Sequence, residues 1–222
     1  ADANLELAVN AVVGSRIIYS GQVCNCAERV YVEESIHDQF LEMTTAKMKA
    51  LKVEDAFSSN NPDMSAMVSK DQLDKVAEMV EFAKKEGAEV LLGGNKSSQF
   101  DKGYFYQPTL LTNVKQDMQI IQEEVFGPVL PVMKFSTLDE AIALANDSEY
   151  GLTSSIFSEN KLTEFLTKKG ISTPIKLETA IKTEPKTRRH LYLTKYLFRY
   201  ANDFIGTNIN FIFRLLYYNY NL

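Results

Sequence analysis

The sequence predicts an α/β fold in which helices flank a mostly parallel sheet. Short apolar runs alternate along the first 160 residues with segments whose apolar residues recur at helical spacing. Strands that alternate with helices pair in parallel, because each helix carries the chain back to the same edge of the sheet. The apolar share of 45% is ordinary for a globular protein, so a core of this kind can form.

A helix, a strand and a second helix are expected first. The first helix is predicted over residues 2–18, with Asp2 as its cap and Gly21 as the residue that breaks the pattern. The run "ERVYV" follows as a short strand. Residues 34–51 return to helix. The apolar side of this second helix would consist of Ile36, Phe40, Met43 and Met48.

The clearest helix is predicted over residues 70–86. Ser69 and Gln72 form a capping box at its start, and Gly87 ends it. Its apolar stripe consists of Leu73, Val76, Ala77, Val80 and Ala83.

Four strands and one more helix complete the pattern. The first strand is "AEVLLGG", which is predicted to be buried, and "YFYQPTLLTNV" and "GPVLPVMKF" follow it. Thr137 and Glu140 form a second capping box, which opens the helix "LDEAIALAND". The strand "GLTSSIFS" closes the series at 151–158.

The charge changes sign near residue 160. Residues 161–222 carry 11 basic and 4 acidic side chains, whereas residues 1–160 carry 13 basic and 25 acidic ones. An acidic body argues against nucleic acid as its partner, because a phosphate backbone requires a basic surface. No apolar run approaches the roughly 18 residues of a membrane span. The start of the chain lacks the features of a signal peptide, so a cytoplasmic location is expected.

The basic segment 161–222 has a different composition and is predicted to be a tail outside the main domain. It holds 6 of the 11 tyrosines and is rich in Lys, Phe, Ile and Asn. One interpretation is a tail that contacts a membrane surface or nucleic acid. The interpretation we favour is sequence without structural selection, such as the out-of-frame product of an AT-rich gene, because no amphipathic stripe runs through it.

Both cysteines lie two residues apart, after a helix and before a strand. A zinc site is disfavoured because Cys24, Cys26, His37 and His190 are not grouped. A disulfide across this spacing would be strained, and two buried structural thiols are the commonest arrangement. However, Cys24 ends a Gly-Gln-x-Cys turn, which can present a thiol and a backbone N–H at a cleft. Nucleophilic catalysis is therefore a further interpretation.

Four segments together resemble a known enzyme family. In order they are "SGQVCNCAERVYV", "GYFYQPTLL", "EEVFGPVLPV" and "ANDSEYGLTSSIFS". They resemble the NAD(P)-dependent aldehyde dehydrogenase superfamily, and their sequences are most similar to its bacterial lactaldehyde/glycolaldehyde branch. The resemblance covers residues 1–158 and implies a truncated aldehyde-dehydrogenase-like catalytic domain over 1–160. It implies NAD or NADP as cofactor and a small aldehyde as substrate.

The resemblance also implies roles for individual residues. Cys24 would be the nucleophile, and its backbone N–H would form half of the oxyanion hole. Glu124 would hold the ribose hydroxyls of the nicotinamide and Phe126 would pack beside the ring, while Asn146 and Gly151 would be architectural. The implied reaction passes through a thiohemiacetal and a thioester on cysteine and yields the carboxylic acid.

Parts of the family pattern are not found in these 222 residues. There is no Gly-rich strand–turn–helix motif, and the general-base glutamate and the second oxyanion donor cannot be assigned. Ser65 and Ala66 stand where Gly-Pro is frequent. The isolated chain is therefore expected to be inactive. The resemblance implies that full-length members are homo-oligomers, and this chain is expected to self-associate through exposed apolar surface. The alternative is a non-catalytic domain that binds a partner through its basic tail.

Overall fold

The computed structural model describes residues 3–57, 61–152 and 154–158, together with the backbone of two short strands at 175–177 and 211–213. Asp2, His190 and most of the predicted tail lie outside the described residues. In the described part of the chain, no helix is long and apolar enough to cross a bilayer.

Four of the helices in the described residues lie close to where the sequence predicts them, and the sequence does not predict the short fourth one. The helices are α1 (Leu5–Ile17), α2 (Glu34–Lys49), α3 (Lys70–Glu86), α4 (Gln119–Gln122) and α5 (Leu138–Asn146). The predicted cap at Asp2 is wrong: Asn4 caps α1, because its side chain accepts a hydrogen bond from the Leu7 N–H at 3.0 Å. The capping box of Thr137 and Glu140 at the start of α5 is confirmed.

One sheet joins the strands into a single layer. They are β1 (Val30–Glu33), β2 (Glu89–Leu92), β3 (Thr109–Thr112), β4 (Val129–Phe135), β5 (Ser154–Phe157), β6 (Ile175–Leu177) and β7 (Phe211–Phe213). Their order is β2-β3-β4-β1-β7-β5-β6, and all described pairs are parallel except β2 with β3. The mostly parallel α/β sheet predicted from the sequence is therefore confirmed.

One detail of the sheet differs from the prediction, and another lies beyond the predicted strands. The strand β2 is not buried: Glu89 is exposed and the other three residues are half-buried, because β2 is the edge strand. In addition, two strands from beyond residue 160 pair with the sheet, and β7 lies between β1 and β5. The short runs that form them, "IKL" and "FIF", consist largely of residues with high strand propensity.

The pairing of β1 with β4 brings two loops to one edge of the sheet. Val30 lies opposite Val132, and Glu33 lies opposite Phe135. The chain enters β1 through residues 21–29 and enters β4 through residues 123–128. Since adjacent parallel strands begin at the same edge, these two entry segments lie side by side.

The core fills the space between the sheet and the helices. The helix α1 packs on α2, and α2 packs on β1 and β4. The fully buried residues that these elements contribute include Ala8, Val12, Val32, Phe40 and Val132. Burial of such side chains contributes about 1.5–3 kcal/mol each, so this packing fixes the scaffold on which the two entry segments are held.

Candidate functional site

The cysteine turn begins with an unusual stretch of backbone. Tyr19, Ser20 and Gly21 follow α1 with φ angles of 46°, 59° and 76°. Left-handed backbone is unfavourable for residues with a side chain and persists only where the surroundings hold it. Here the Ser20 hydroxyl donates a hydrogen bond to the Ser65 carbonyl at 2.5 Å. A turn closed by the Cys26 N–H and the Val23 carbonyl, at 3.0 Å, then presents Cys24.

The two cysteines have different surroundings. Cys26 is fully buried, its thiol lies 3.8 Å from the Ile18 carbonyl, and burial raises its pKa. It is therefore held as a neutral thiol at neutral pH. Cys24 is half-buried, and no hydrogen bond to its backbone N–H occurs among the described residues. Of the two cysteines, Cys24 is therefore the more exposed.

The segment 123–127 packs directly against the cysteine turn. A Cβ atom placed on Gly21 would lie only 2.1 Å from the Gly127 carbonyl oxygen. Position 21 thus requires glycine if the two backbones are to approach this closely. This contact joins the Gly-Gln-x-Cys turn to the Glu-Glu-x-Phe-Gly-Pro segment.

The start of α3 holds the same segment from the other side. The Gln72 side chain donates to the carbonyls of Val125, at 3.3 Å, and Phe126, at 2.9 Å. Lys75 Nζ donates to the Glu124 carbonyl at 2.9 Å. Phe126 is thereby held at a φ of 55°.

These contacts correct one prediction. Ser69 caps α3 by accepting from the Gln72 N–H at 3.1 Å, but the predicted reciprocal half of the capping box is wrong. The Gln72 side chain is instead committed to the Val125 and Phe126 carbonyls, a tertiary contact across more than 50 residues of sequence.

Glu124 is a half-buried carboxyl among several charges. Burial raises its pKa, and the neighbouring Glu28 carboxylate raises it further. Lys75, Arg16 and Arg29 act in the opposite direction. The carboxyl therefore lies within electrostatic range of buried charges that also border the cysteine turn.

Three buried charged residues, Arg16, Glu28 and Arg29, lie beside the cysteine turn and make two separate sets of contacts. Arg16 and Glu28 are 0% and 2% exposed and form an ion pair at 2.8 Å. Arg29 donates to the carbonyls of Ile121 and, at 3.1 Å, Gln122, and its guanidinium lies 5.0 Å from the centre of the Tyr150 ring. Sequence reasoning missed these contacts of the three buried charged residues. The one available signal was two charges, Glu28 and Arg29, at the buried start of a strand.

Phe126 opens onto a cavity of about 930 Å³. Ser20, Gln22, Ala66 and Phe105 are among the residues that line it. Phe126 and Gln22 therefore meet at one cavity, whereas Cys24 and Glu124 are not among its lining residues.

The other predicted residues take structural places. Asn146 is exposed at the end of α5 and donates to the Ile142 carbonyl at 2.7 Å, consistent with an architectural role. His37 pairs with Asp38 on α2, away from the cysteines in sequence. Within the described part of the chain, no group of three metal-ligating side chains occurs, and neither cysteine forms a disulfide.

Comparison with known proteins shows which family the chain resembles. The model of the aldehyde dehydrogenase family matches residues 1–172. Lactaldehyde dehydrogenase of Escherichia coli (strain K12) is 51% identical over 159 residues, which are 72% of this chain and 33% of that protein.

Solved structures agree with the sequence match. The crystal structure of lactaldehyde dehydrogenase from Escherichia coli superposes with a TM-score of 0.75 at 47% identity, covering 82% of this chain and 38% of that one. The structure of 3,6-anhydro-L-galactose dehydrogenase in complex with NAP gives a TM-score of 0.76 at 40% identity, covering 82% and 39%. The chain thus spans about a third of the length of its relatives. The resemblance inferred from four short segments is confirmed, and the chain belongs to the aldehyde dehydrogenase family.

Proposed function

We propose that this chain is the catalytic-domain portion of an NAD(P)-dependent aldehyde dehydrogenase that oxidises a small aldehyde to the carboxylic acid, with Cys24 as nucleophile. The observation that carries the proposal is the contact between Gly21 and Gly127. It sets the turn of Cys24 against the segment of Glu124 and Phe126 at one edge of the sheet.

Cys24 would act through its thiolate. The sulfur attacks the aldehyde carbon, a C–S bond forms, and the electron pair of the carbonyl moves to oxygen. The backbone N–H of Cys24 is available to donate to that oxygen, because it makes no hydrogen bond within the described residues. The half-buried position of the thiol suits a small substrate.

Two residues fit the nicotinamide end of a dinucleotide. A carboxylate such as Glu124 can accept hydrogen bonds from two ribose hydroxyls, and the half-buried Phe126 offers a flat apolar face at a cavity. When bound, the dinucleotide supplies a hydride acceptor. The hydrogen bonds of Gln72 and Lys75 to the carbonyls of this segment hold its backbone. The backbone positions of Glu124 and Phe126 are therefore set before a ligand binds.

We further propose that the isolated chain has little or no turnover. No side chain here is assigned as the general base that must activate water to release the acid. Steady-state aldehyde oxidation above about 1 per second, followed by NADH or NADPH formation, would contradict this.

Alkylation of the cysteines tests the nucleophile directly. With limiting iodoacetamide at neutral pH, mass spectrometry of peptides should show Cys24 modified well before Cys26, because Cys26 is buried and its pKa is raised. A small aldehyde such as glycolaldehyde should slow modification of Cys24, because the thiohemiacetal blocks the sulfur. Equal slow labelling of both thiols, or labelling of Cys24 that the aldehyde does not change, would argue against the proposal.

We also propose that the isolated chain self-associates. Phe57, Tyr19 and Val68 are 100%, 80% and 79% exposed, and all three line the cavity beside Phe126. Exposed apolar patches of this kind promote association. Sedimentation velocity should show species larger than the monomer at micromolar concentration, and a single monomeric boundary would refute this.

A further inference from the structure

We propose that Glu28, in its ion pair with Arg16, is a positioning residue that fixes the Cys24 turn against the segment of Glu124 and Phe126. Its assignment as positioning rests on the proposed role of Cys24 as nucleophile.

Burial is the first reason to assign it a specific role. Arg16 is 0% and Glu28 is 2% exposed, and their side chains meet at 2.8 Å. Removing two charges from water is costly, and apolar side chains of similar volume often serve stability equally well. A pair retained at such a cost needs another explanation, which its hydrogen bonds supply.

Arg16 spans the cysteine turn. Its Nη2 donates to the Gly21 carbonyl and its Nη1 donates to the Ala27 carbonyl, both at 2.7 Å. These two carbonyls stand on either side of Cys24 in the chain. One rigid guanidinium therefore sets the separation of the two ends of the turn.

Glu28 extends this hold to the second segment. One of its carboxylate oxygens pairs with Arg16, and the other accepts the Val125 N–H at 3.2 Å. Val125 lies between Glu124 and Phe126 in the chain. A continuous path of contacts thus runs from the Gly21 carbonyl through Arg16 and Glu28 to the segment of Glu124 and Phe126.

Arg29 holds a neighbouring stretch independently. It donates to the carbonyls of Ile121 and Gln122 rather than to Val125. Loss of Glu28 should therefore release the alignment of the two segments, while Arg29 keeps the end of α4 in place.

Two substitutions of similar size separate a hydrogen-bonding role from a packing role. Glu28→Gln keeps an oxygen that can accept from the Val125 N–H, whereas Glu28→Met keeps the volume without an acceptor. Amide hydrogen exchange is measured by mass spectrometry on peptides covering 20–28 and 121–127. We expect Glu28→Met to speed exchange in both peptides by about tenfold. Glu28→Gln should retain most of the protection in peptide 121–127, where its oxygen still accepts from the Val125 N–H, but not in peptide 20–28, because its amide NH2 cannot pair with Arg16. The half-buried Cys24 should also react faster with iodoacetamide in Glu28→Met.

Controls make each outcome decisive. Phe135→Leu alters a buried residue at the opposite end of β4. Any faster exchange that it causes in the two peptides should therefore be no larger than its loss of overall stability explains. If Glu28→Met is unfolded by circular dichroism, Arg16→Lys decides. A lysine cannot bond both the Gly21 and Ala27 carbonyls in the same geometry, so peptide 20–28 should lose protection.

The positioning role would be overturned if Glu28→Gln and Glu28→Met changed hydrogen exchange equally in peptide 121–127, or if Glu28→Met left exchange unchanged. Where Glu28→Met is unfolded, unchanged exchange in Arg16→Lys would overturn it. Exchange needs no turnover and no aldehyde. Its failure is therefore distinct from failure of the proposed function, which the aldehyde-protection experiment reports.

Discussion

Replacement of Gly21 by alanine should destabilise the protein far more than the same change at two other glycines. At φ of +76°, the left-handed backbone costs alanine about 1–2 kcal/mol. The new Cβ would also lie 2.1 Å from the Gly127 carbonyl oxygen, a distance that real structures do not tolerate. Moving the backbone apart adds about 1–3 kcal/mol, the usual range for overpacking. The expected loss in the free energy of unfolding is therefore about 2–5 kcal/mol, a large share of the ~5–15 kcal/mol typical of a domain.

Gly87 and Gly14 supply matched controls for this substitution. Gly87 has φ of +105°, and a Cβ added there would meet no atom within 4 Å, so Gly87→Ala should lose only the backbone part, about 1–2 kcal/mol. Gly14 lies inside α1 with the same open space around its Cβ position, so Gly14→Ala should stabilise by about 0.5–1 kcal/mol. Urea unfolding followed by circular dichroism measures all three. A Gly21→Ala variant no less stable than Gly87→Ala would refute the close packing of the two segments.

Three further predictions concern the site and its scaffold. Glu124→Gln should raise the melting temperature relative to the parent chain at pH 7 but not at pH 4. Burial raises the Glu124 pKa, so the charged carboxylate destabilises the fold increasingly as the pH rises above 4.5. A melting-temperature difference that stays constant between pH 4 and pH 7 would contradict this. Thr137→Ala should lower the free energy of unfolding by about 1 kcal/mol through loss of the α5 capping box, and a change within error of zero would count against that box. Tyr106→Phe should be neutral or stabilising, because the buried Tyr106 hydroxyl has no hydrogen-bond partner among the described residues. Tyr31→Phe should lower the free energy of unfolding by about 1 kcal/mol, because it loses the hydrogen bond to Gln116. Denaturant unfolding that ranks the two variants in the opposite order would refute this.

Local signals in the sequence were sufficient for most elements of the fold. Ser69 and Gly87 bound α3 because capping and left-handed termination depend on neighbouring residues alone. The edge position of β2 could not be predicted in this way, since burial of a strand depends on its place in the sheet order. The same holds for β7, whose position between β1 and β5 joins residues far apart in the chain.

The candidate site divides along the same line. The order of four short segments was enough to predict the family and to single out Cys24, Glu124 and Phe126. The contacts that organise these residues could not be predicted, because Glu28 reaches Val125 across 97 positions and Gln72 reaches Phe126 across 54. The Glu28 contact follows from the parallel register of β1 and β4, which brings the two segments to one edge, and the Gln72 contact follows from the packing of the start of α3 on the same segment.

The most direct test of the account is whether the Cys24 sulfur forms a bond to an aldehyde carbon. A small aldehyde labelled with carbon-13 at its carbonyl is mixed with the chain and followed by NMR, with Cys24→Ser and Cys26→Ser as the matched pair. We expect a protein-bound signal from a tetrahedral carbon in the parent chain and in Cys26→Ser, and none in Cys24→Ser. A signal that survives in Cys24→Ser, or one that disappears only in Cys26→Ser, would contradict the assignment of the nucleophile.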